Sequence, residues 1–516
     1  MPPAGRNRNR NNRNGRVLNS RASLNGYVKS ICDIMRRSNC AGALQYVPEL
    51  TWMLFLRILD EREEREAEET AALGTAFTPT LSHPYRWRDW AAPGGAKREE
   101  LQAAPMGAFM DFVNRELLPY LRSSGERAGA SQRQLALSQV FATVERTRID
   151  TERNLLDILD KVDSLSGDGV DNTHMFPLSQ VYEGLLLKMG EKNNDGGQFF
   201  TPREVIRAMV RVVDPKVGQT VYDPCCGTGG FLAQAYEYME AQATTASDIE
   251  LLKTATFFGR EKENLVFPIA LANLVLHGID APHIWHGNTL TGTASHGALF
   301  ADAPALFDVV LTNPPFGGKE SQDARANFAY KTGATQLLFL QHDIDALAEG
   351  GVCGIVMDEG ALFRTNEMAF VQTKRKLLDE CDLFCLVSLP PGVFINAGAA
   401  SKTNLLFFRK GTPTQRIWYY DLADVKVTKK KPLTLSQFED FFQRVALPPD
   451  DPGRESERSW WKDIEEIKAK NYDMKAVNPN RKDERDTRTP GELLDIIEAR
   501  AAELSDALAA LRNTLK

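Results

Sequence analysis

The sequence lacks any long apolar run. Its longest stretches, such as Trp52-Met53-Leu54-Phe55-Leu56, fall far short of the roughly 20 residues of a membrane span. No membrane partner is expected. The first residues hold no apolar core of the kind a secretory signal needs, which points to a cytoplasmic protein. Cysteine is sparse: seven are scattered over 516 residues, an odd number that argues for reduced thiols and against a disulfide framework. Metal-ligand spacing is missing as well. Cys225 and Cys226 stand too close for a C-x2-C zinc pair, and no His or Cys neighbours complete a site, so no metal is implied. Positive charge is not in excess either, with 62 Lys and Arg against 69 Asp and Glu and a net charge of −7. Proteins that grip nucleic acid unaided usually carry a basic balance. Any such contact must come from local patches or from a partner.

What is present fits a soluble globular chain, 43% hydrophobic and 25% charged. Its length predicts roughly two to four domains. Residues 1–20 interleave Arg6, Arg8, Arg10, Arg13 and Arg16 with Asn and Gly, and read as a basic disordered arm, a solvated tail able to touch phosphates. From 21 to 165 apolar residues recur every three or four positions, as in Tyr27 to Met35 and Leu50 to Leu59, which predicts a helical domain. Trp87 and Trp90 read as core anchors within it.

The most informative stretch is Asn313-Pro314-Pro315-Phe316. It follows Phe307-Asp308-Val309-Val310-Leu311-Thr312, an apolar β-branched run that reads as a buried strand. Two prolines must break the backbone there. A rigid loop at the carboxyl end of a strand lies where open α/β sheets bind ligands. It offers an amide, a carbonyl and an aromatic ring. Those groups suit the exocyclic amine of a planar base: acceptors for its hydrogens and a face to stack on.

Three further turns follow strand-like runs. Thr220-Val221-Tyr222-Asp223 leads into Pro224-Cys225-Cys226-Gly227-Thr228-Gly229-Gly230 and an amphipathic helix, a glycine turn that allows close ligand approach at a helix N-terminus. Leu232 stands where the dinucleotide fingerprint needs its third glycine. A run from Thr254 to Arg260 ends on Glu261, placed as the acids that bind ribose hydroxyls are placed. Ile284-Trp285-His286 leads to Asn288. Upstream, Gly196-Gly197-Gln198-Phe199-Phe200-Thr201-Pro202-Arg203-Glu204 predicts a helix start, with Thr201 as N-cap, Pro202 at the first position and Glu204 closing a capping box. Its N–H groups could hold a carboxylate.

Beyond 410 the character changes. Lys429-Lys430-Lys431-Pro432 reads as a turn, and Pro448 to Gly453 as a loop that Trp460 and Trp461 anchor. Thr489-Pro490-Gly491-Glu492 opens a final helix on which Leu494, Ile497, Ala501, Leu504, Leu508, Leu511 and Leu515 recur in steps of three and four. Such a seam wants a partner helix, within the chain or on another subunit.

Taken together, the Gln198-to-Arg203 segment, the Asp223-to-Gly230 turn, Asn313-Pro314-Pro315-Phe316, the later Gly350 to Val356, Leu389 to Phe394 and Lys402 to Phe408 resemble the amino-methylating DNA methyltransferases, specifically the modification (M) subunits of type I restriction–modification systems. The resemblance covers most of the chain. It implies an α/β fold: a Rossmann-like, S-adenosylmethionine-dependent methyltransferase sheet over 166–412, after the N-terminal helical domain. A C-terminal helical extension completes the fold, divided into an extension (413–488) and a heptad helix for partner docking (489–516). The implied cofactor is S-adenosylmethionine, and the implied target is the N6 amine of an adenine flipped out of duplex DNA. By the same carry-over, Gln198, Phe199, Phe200, Thr201, Pro202 and Arg203 line the methionine end of the cofactor. Asp223, Gly227, Thr228, Gly229 and Gly230 run along it, Glu261 accepts from the ribose hydroxyls, and Asn288 sits near its adenine. Asn313, Pro314, Pro315 and Phe316 form the catalytic loop. Implied partners are a specificity (S) subunit, a second M subunit and, in complete complexes, a restriction (R) endonuclease subunit.

Two positions depart from the family pattern. Asn288 replaces the usual Asp, keeping an acceptor oxygen but losing the charge, and Cys225 replaces a usual Ala. Rival readings are a stand-alone or phage-defence adenine methyltransferase, a protein-glutamine methyltransferase with a similar loop, and a scaffold with a decayed cofactor site. The intact glycine turn, Glu261 and Asn313 speak against decay. The chain shows no additional target-recognition region that would let it read DNA alone.

Overall fold

The structure is a computed structural model; it describes residues 21–38, 40, 43–72, 74–164, 201–291, 298–395, 402–428, 431–480 and 489–514. The basic arm and Gln198, Phe199 and Phe200 therefore lie outside the described residues. The N-terminal part is helical as expected, built on helices Arg21–Arg37, Ala43–Ala72, Gln132–Phe141 and Glu152–Asp163. Its core is aromatic. Trp87 and Trp90 are both fully buried, Trp52 stacks on Trp90 with ring centroids 6.4 Å apart, and Trp87 Nε1 donates to Asp163 at 2.9 Å.

Nine strands form one sheet: β1 (Val221–Asp223), β2 (Phe257–Glu261), β3 (His283–His286), β4 (Phe307–Thr312), β5 (Leu347–Asp358), β6 (Cys381–Ser388), β7 (Thr403–Lys410), β8 (Arg416–Asp421) and β9 (Ser459–Asp463). Their order is β3-β2-β1-β4-β5-β7-β6-β8-β9. The five strands from β3 to β5 are mutually parallel. β7 inserts antiparallel between β5 and β6. The chain winds from β1 outward to β3, then returns to start β4 on the other side of β1. That reversal leaves a crevice at the carboxyl ends of β1 and β4. The apolar runs of β1, β4 and β5 are buried on both faces, as a parallel sheet with helices on each side requires.

Four boundaries differ from the sequence reading. The Arg203–Val213 helix has Pro202 at its N-cap with no side-chain cap, so the expected Thr201 capping box does not form. The Thr201 hydroxyl is engaged elsewhere, as shown below. Thr254 ends the helix Ala246–Thr254, and the second strand starts only at Phe257. The sheet does not stop near 412: β8 pairs parallel with β6, and β9 pairs antiparallel with β8. Trp460 and Trp461 belong to β9 itself, where Trp460 stacks on Tyr419 at 5.3 Å. Aromatic pairing across these strands binds them into the core, so the sheet continues into 413–488, where helices Glu439–Val445 and Ile464–Ala469 accompany it.

The helical part meets the sheet through helix Phe267–Leu276, which packs against Gln132–Phe141 and Ala43–Ala72. A half-buried ion cluster closes this junction. Arg62 and Arg133 both reach Asp280 at 2.9 Å, and Arg133 also pairs with Glu66 at 2.9 Å. At the other end, helix Pro490–Thr514 opens on the expected reciprocal bonds between Thr489 and Glu492. Its seam is open to solvent, with Leu494 59%, Leu504 64% and Leu511 59% exposed.

Candidate functional site

The turn after β1 is shaped by backbone that only glycine adopts easily. Gly227 and Gly229 have φ of +53° and +78°, in the left-handed region. A Cβ on Gly229 would also come within 3.2 Å of Leu274, so the turn rests directly on helix Phe267–Leu276. Asn273 of that helix donates to the Thr228 carbonyl at 2.9 Å. The turn ends with Gly229 as the N-cap of helix Gly230–Glu240.

Glu261 is the last residue of β2 and 6% exposed. Its two carboxylate oxygens accept from Gly227 N–H at 2.9 Å and Glu263 N–H at 2.8 Å. Burial pushes its pKa up to about 7, against the pull of those N–H groups. Asp223 is 1% exposed and stands behind the crevice wall. It accepts from the Thr312 hydroxyl at 2.8 Å and from Cys225 N–H at 3.2 Å, tying β1 to β4. Burial raises its pKa to about 7, and the Glu261 charge adds to the rise. Asn288 accepts from Leu290 N–H at 3.0 Å, so its oxygen already caps the turn after β3.

The loop after β4 is held differently. The Asn313 side-chain nitrogen donates to the Thr201 hydroxyl at 2.9 Å. Its oxygen is buried and has no hydrogen-bond partner among the described residues. A buried acceptor left unpaired costs about 1–3 kcal/mol, and this one borders the cleft. Pro314 is buried, and its carbonyl is approached by Gln336 Nε2 at 3.4 Å. Phe316 meets Phe394 edge-on, with centroids 5.4 Å apart at 66°.

These elements border one cleft of about 210 Å³. It brings together Gly227, Glu261, Asn288, Asn313, Pro315 and Phe316 from the expected set. Asp223, Thr228, Gly229, Gly230 and Pro314 support its walls from behind, and Pro202 and Arg203 start the adjoining helix without lining it. The sequence reading missed Thr312 and Gln336, which sit inside ordinary strand and helix patterns and become visible only through long-range pairing. It also missed Arg260, on the cleft wall over the rings of Trp285 and Phe300 at 4.9 and 5.1 Å. Its Nε is buried without a partner among the described residues.

A mixed sheet with this strand order, parallel from β3 to β5 and carrying a glycine turn, a terminal acid and an Asn-Pro-Pro-Phe loop on one cleft, defines a Rossmann-like methyltransferase with an N-terminal helical domain. Known proteins carry the assignment further. The family model described as N-6 DNA Methylase matches residues 174–487, and that of the HsdM N-terminal domain matches 24–162. The EcoEI methylase subunit of a type I restriction enzyme from Escherichia coli is 32% identical over 505 residues, covering 96% of this chain and 97% of that protein. A crystal structure of a type I modification subunit from Vibrio vulnificus YJ016 superposes with a TM-score of 0.76 at 32% identity, over 89% of this chain and 97% of the other. A chain from a structural study of type I complex assembly and conformational transition gives 0.67 at 36% identity, over 96% and 99%. The chain belongs to the N-6 DNA methylase family, among the modification subunits of type I restriction–modification systems. It is an adenine-specific DNA methyltransferase subunit, and a methyl donor is implied by that membership. Among the described residues, no helix is long and apolar enough to cross a membrane.

Proposed function

We propose that the chain methylates the N6 amine of an adenine flipped out of duplex DNA, using S-adenosylmethionine, at a sequence read by a separate specificity subunit. The observation that carries this reading is the buried, unpaired oxygen of Asn313. The adenine amine is a poor nucleophile because its lone pair is delocalised into the ring. Hydrogen bonds from its two hydrogens to the Asn313 oxygen and the Pro314 carbonyl favour a pyramidal nitrogen with a free lone pair. The base reaches this loop only outside the stack, where Phe316 offers a face. Rate enhancement then comes from positioning and preorganised acceptors, with no covalent intermediate.

The residues fit S-adenosylmethionine. Glu261 offers buried carboxylate oxygens to a hydroxyl pair, Gly227 leaves the cleft open at the turn, and Asn288 lines the same wall. The cofactor supplies an electrophilic methyl group; the chain binds it and aligns the amine.

Recognition comes from outside the chain. Its net charge is −7, and the exposed leucine seam of helix Pro490–Thr514 is the attachment for the specificity subunit. A second M subunit and a restriction subunit would join the same assembly. The test is the double variant Leu504→Glu/Leu508→Glu, which places unpaired charges in that contact. It should bind S-adenosylmethionine normally, yet lose co-elution with the specificity subunit and sequence-specific methylation. Normal assembly by the double variant would remove this helix as the docking element. Efficient methylation of one defined sequence by the isolated wild-type chain would remove the need for a separate reader.

A further inference from the structure

We infer that Thr201 is a positioning residue for methyl transfer, its hydroxyl holding the Asn313 amide so that the Asn313 oxygen faces the incoming amine. This rests on the reading of Asn313 as the acceptor for N6. Three observations carry it. The hydroxyl accepts from Asn313 Nδ2 at 2.9 Å, across 112 positions of sequence. The other end of the same amide is the buried, unpaired oxygen. The hydroxyl also gives up the helix cap that its sequence position favours, and Pro202 takes the N-cap with no side-chain bond. The adjoining helix buries Val205, Ile206, Met209 and Val210 and packs beside β4.

Rotation about the last torsion of an asparagine is soft and roughly two-fold, so nothing intrinsic to the side chain selects its oxygen for the cleft. The flipped amide would set donor against donor when an amine arrives. In the productive orientation the nitrogen must have an acceptor elsewhere, and a hydroxyl can supply one. Valine in that place has the same shape but no lone pair, and would leave the amide nitrogen buried and unpaired.

The test uses the full chain assembled with its specificity partner, genomic DNA from a strain lacking the gene, and saturating S-adenosylmethionine. N6-methyladenine is counted after digestion to nucleosides. At saturating S-adenosylmethionine, Thr201→Val should slow single-turnover methylation about tenfold to a hundredfold. Thr201→Ser should restore the rate to within a few-fold. Thr201→Ala, measured beside them, gives the same comparison if the valine variant folds poorly. A wild-type rate in the valine and alanine variants would overturn the inference, as would a serine variant equally slow. A loss fully recovered by more cofactor would also overturn it. Asn313→Ala separates the two levels. If that variant is dead while Thr201→Val is fast, only the role of Thr201 fails; if it turns over normally, the reading of the loop itself fails.

Discussion

The two sides of the cleft treat their acceptors in opposite ways. On the β1–β2 side they are already occupied: Glu261 takes two backbone N–H groups, Asp223 takes a hydroxyl and an N–H, and Asn288 caps a turn. On the β4 side Asn313 keeps a buried oxygen unpaired. The first side is folded by its own hydrogen bonds, and a ligand can only add to acceptors already engaged. The second side carries an unmet demand that an arriving donor relieves. On the proposed reading of Asn313, stability is concentrated on one side and reactivity on the other.

The largest expected effect breaks the reactive side. Asn313→Ala should abolish methyl transfer while leaving S-adenosylmethionine affinity within about tenfold, roughly 1.4 kcal/mol. The variant loses an unpaired acceptor together with the bond to Thr201, opposing changes that should leave its melting temperature close to that of wild type. Next, Glu261→Ala should weaken S-adenosylmethionine binding by roughly 1.5–3 kcal/mol, the worth of charge-assisted hydrogen bonds. Calorimetry showing unchanged affinity would leave the acid with a purely structural role, holding Gly227 and Glu263.

The smallest effect sharpens the contrast through pH. The folded-state pKa of Asp223, near 7, lies above the ordinary carboxylate value of 3.8. Between those values the folded chain keeps a proton that the unfolded chain has released. Stability is therefore fully present below about pH 4 and is lost as pH rises towards 7. Asp223→Asn keeps an oxygen for Thr312 and Cys225 and cannot ionise. Relative to wild type, its stability should rise steadily as pH climbs through this window, on top of a pH-independent cost for an amide hydrogen without an acceptor. A difference in thermal melting that stays flat with pH would show that Asp223 does not titrate there.

The motif-bearing strand ends were legible in sequence because each needs a break in a simple pattern: two prolines after an apolar run, glycines with positive φ, an acid closing a strand. Their convergence on one cleft follows from the strand order, which local patterns do not contain. Thr201 shows where local reasoning fails. Its capping signal is strong, but a partner 112 residues away competes for the hydroxyl and wins. β8 and β9 were missed for a similar reason. Trp418, Tyr419 and Tyr420 on the one, and Trp460 on the other, become strand residues through pairing with each other and with β6, not through any turn signal nearby.

Helix Phe267–Leu276 has nine of its ten residues buried, at every turn of its circumference. One flank carries the glycine turn and the other the N-terminal helices. It is therefore common property of two regions that family models delimit separately. A chimera that exchanges residues 24–162 with those of a relative would graft a foreign surface onto this helix, and the misfit would pass through Asn273 to the turn beneath Gly227. Parts that are interchangeable on paper share a wall, and the graft must bring its side of that wall with it.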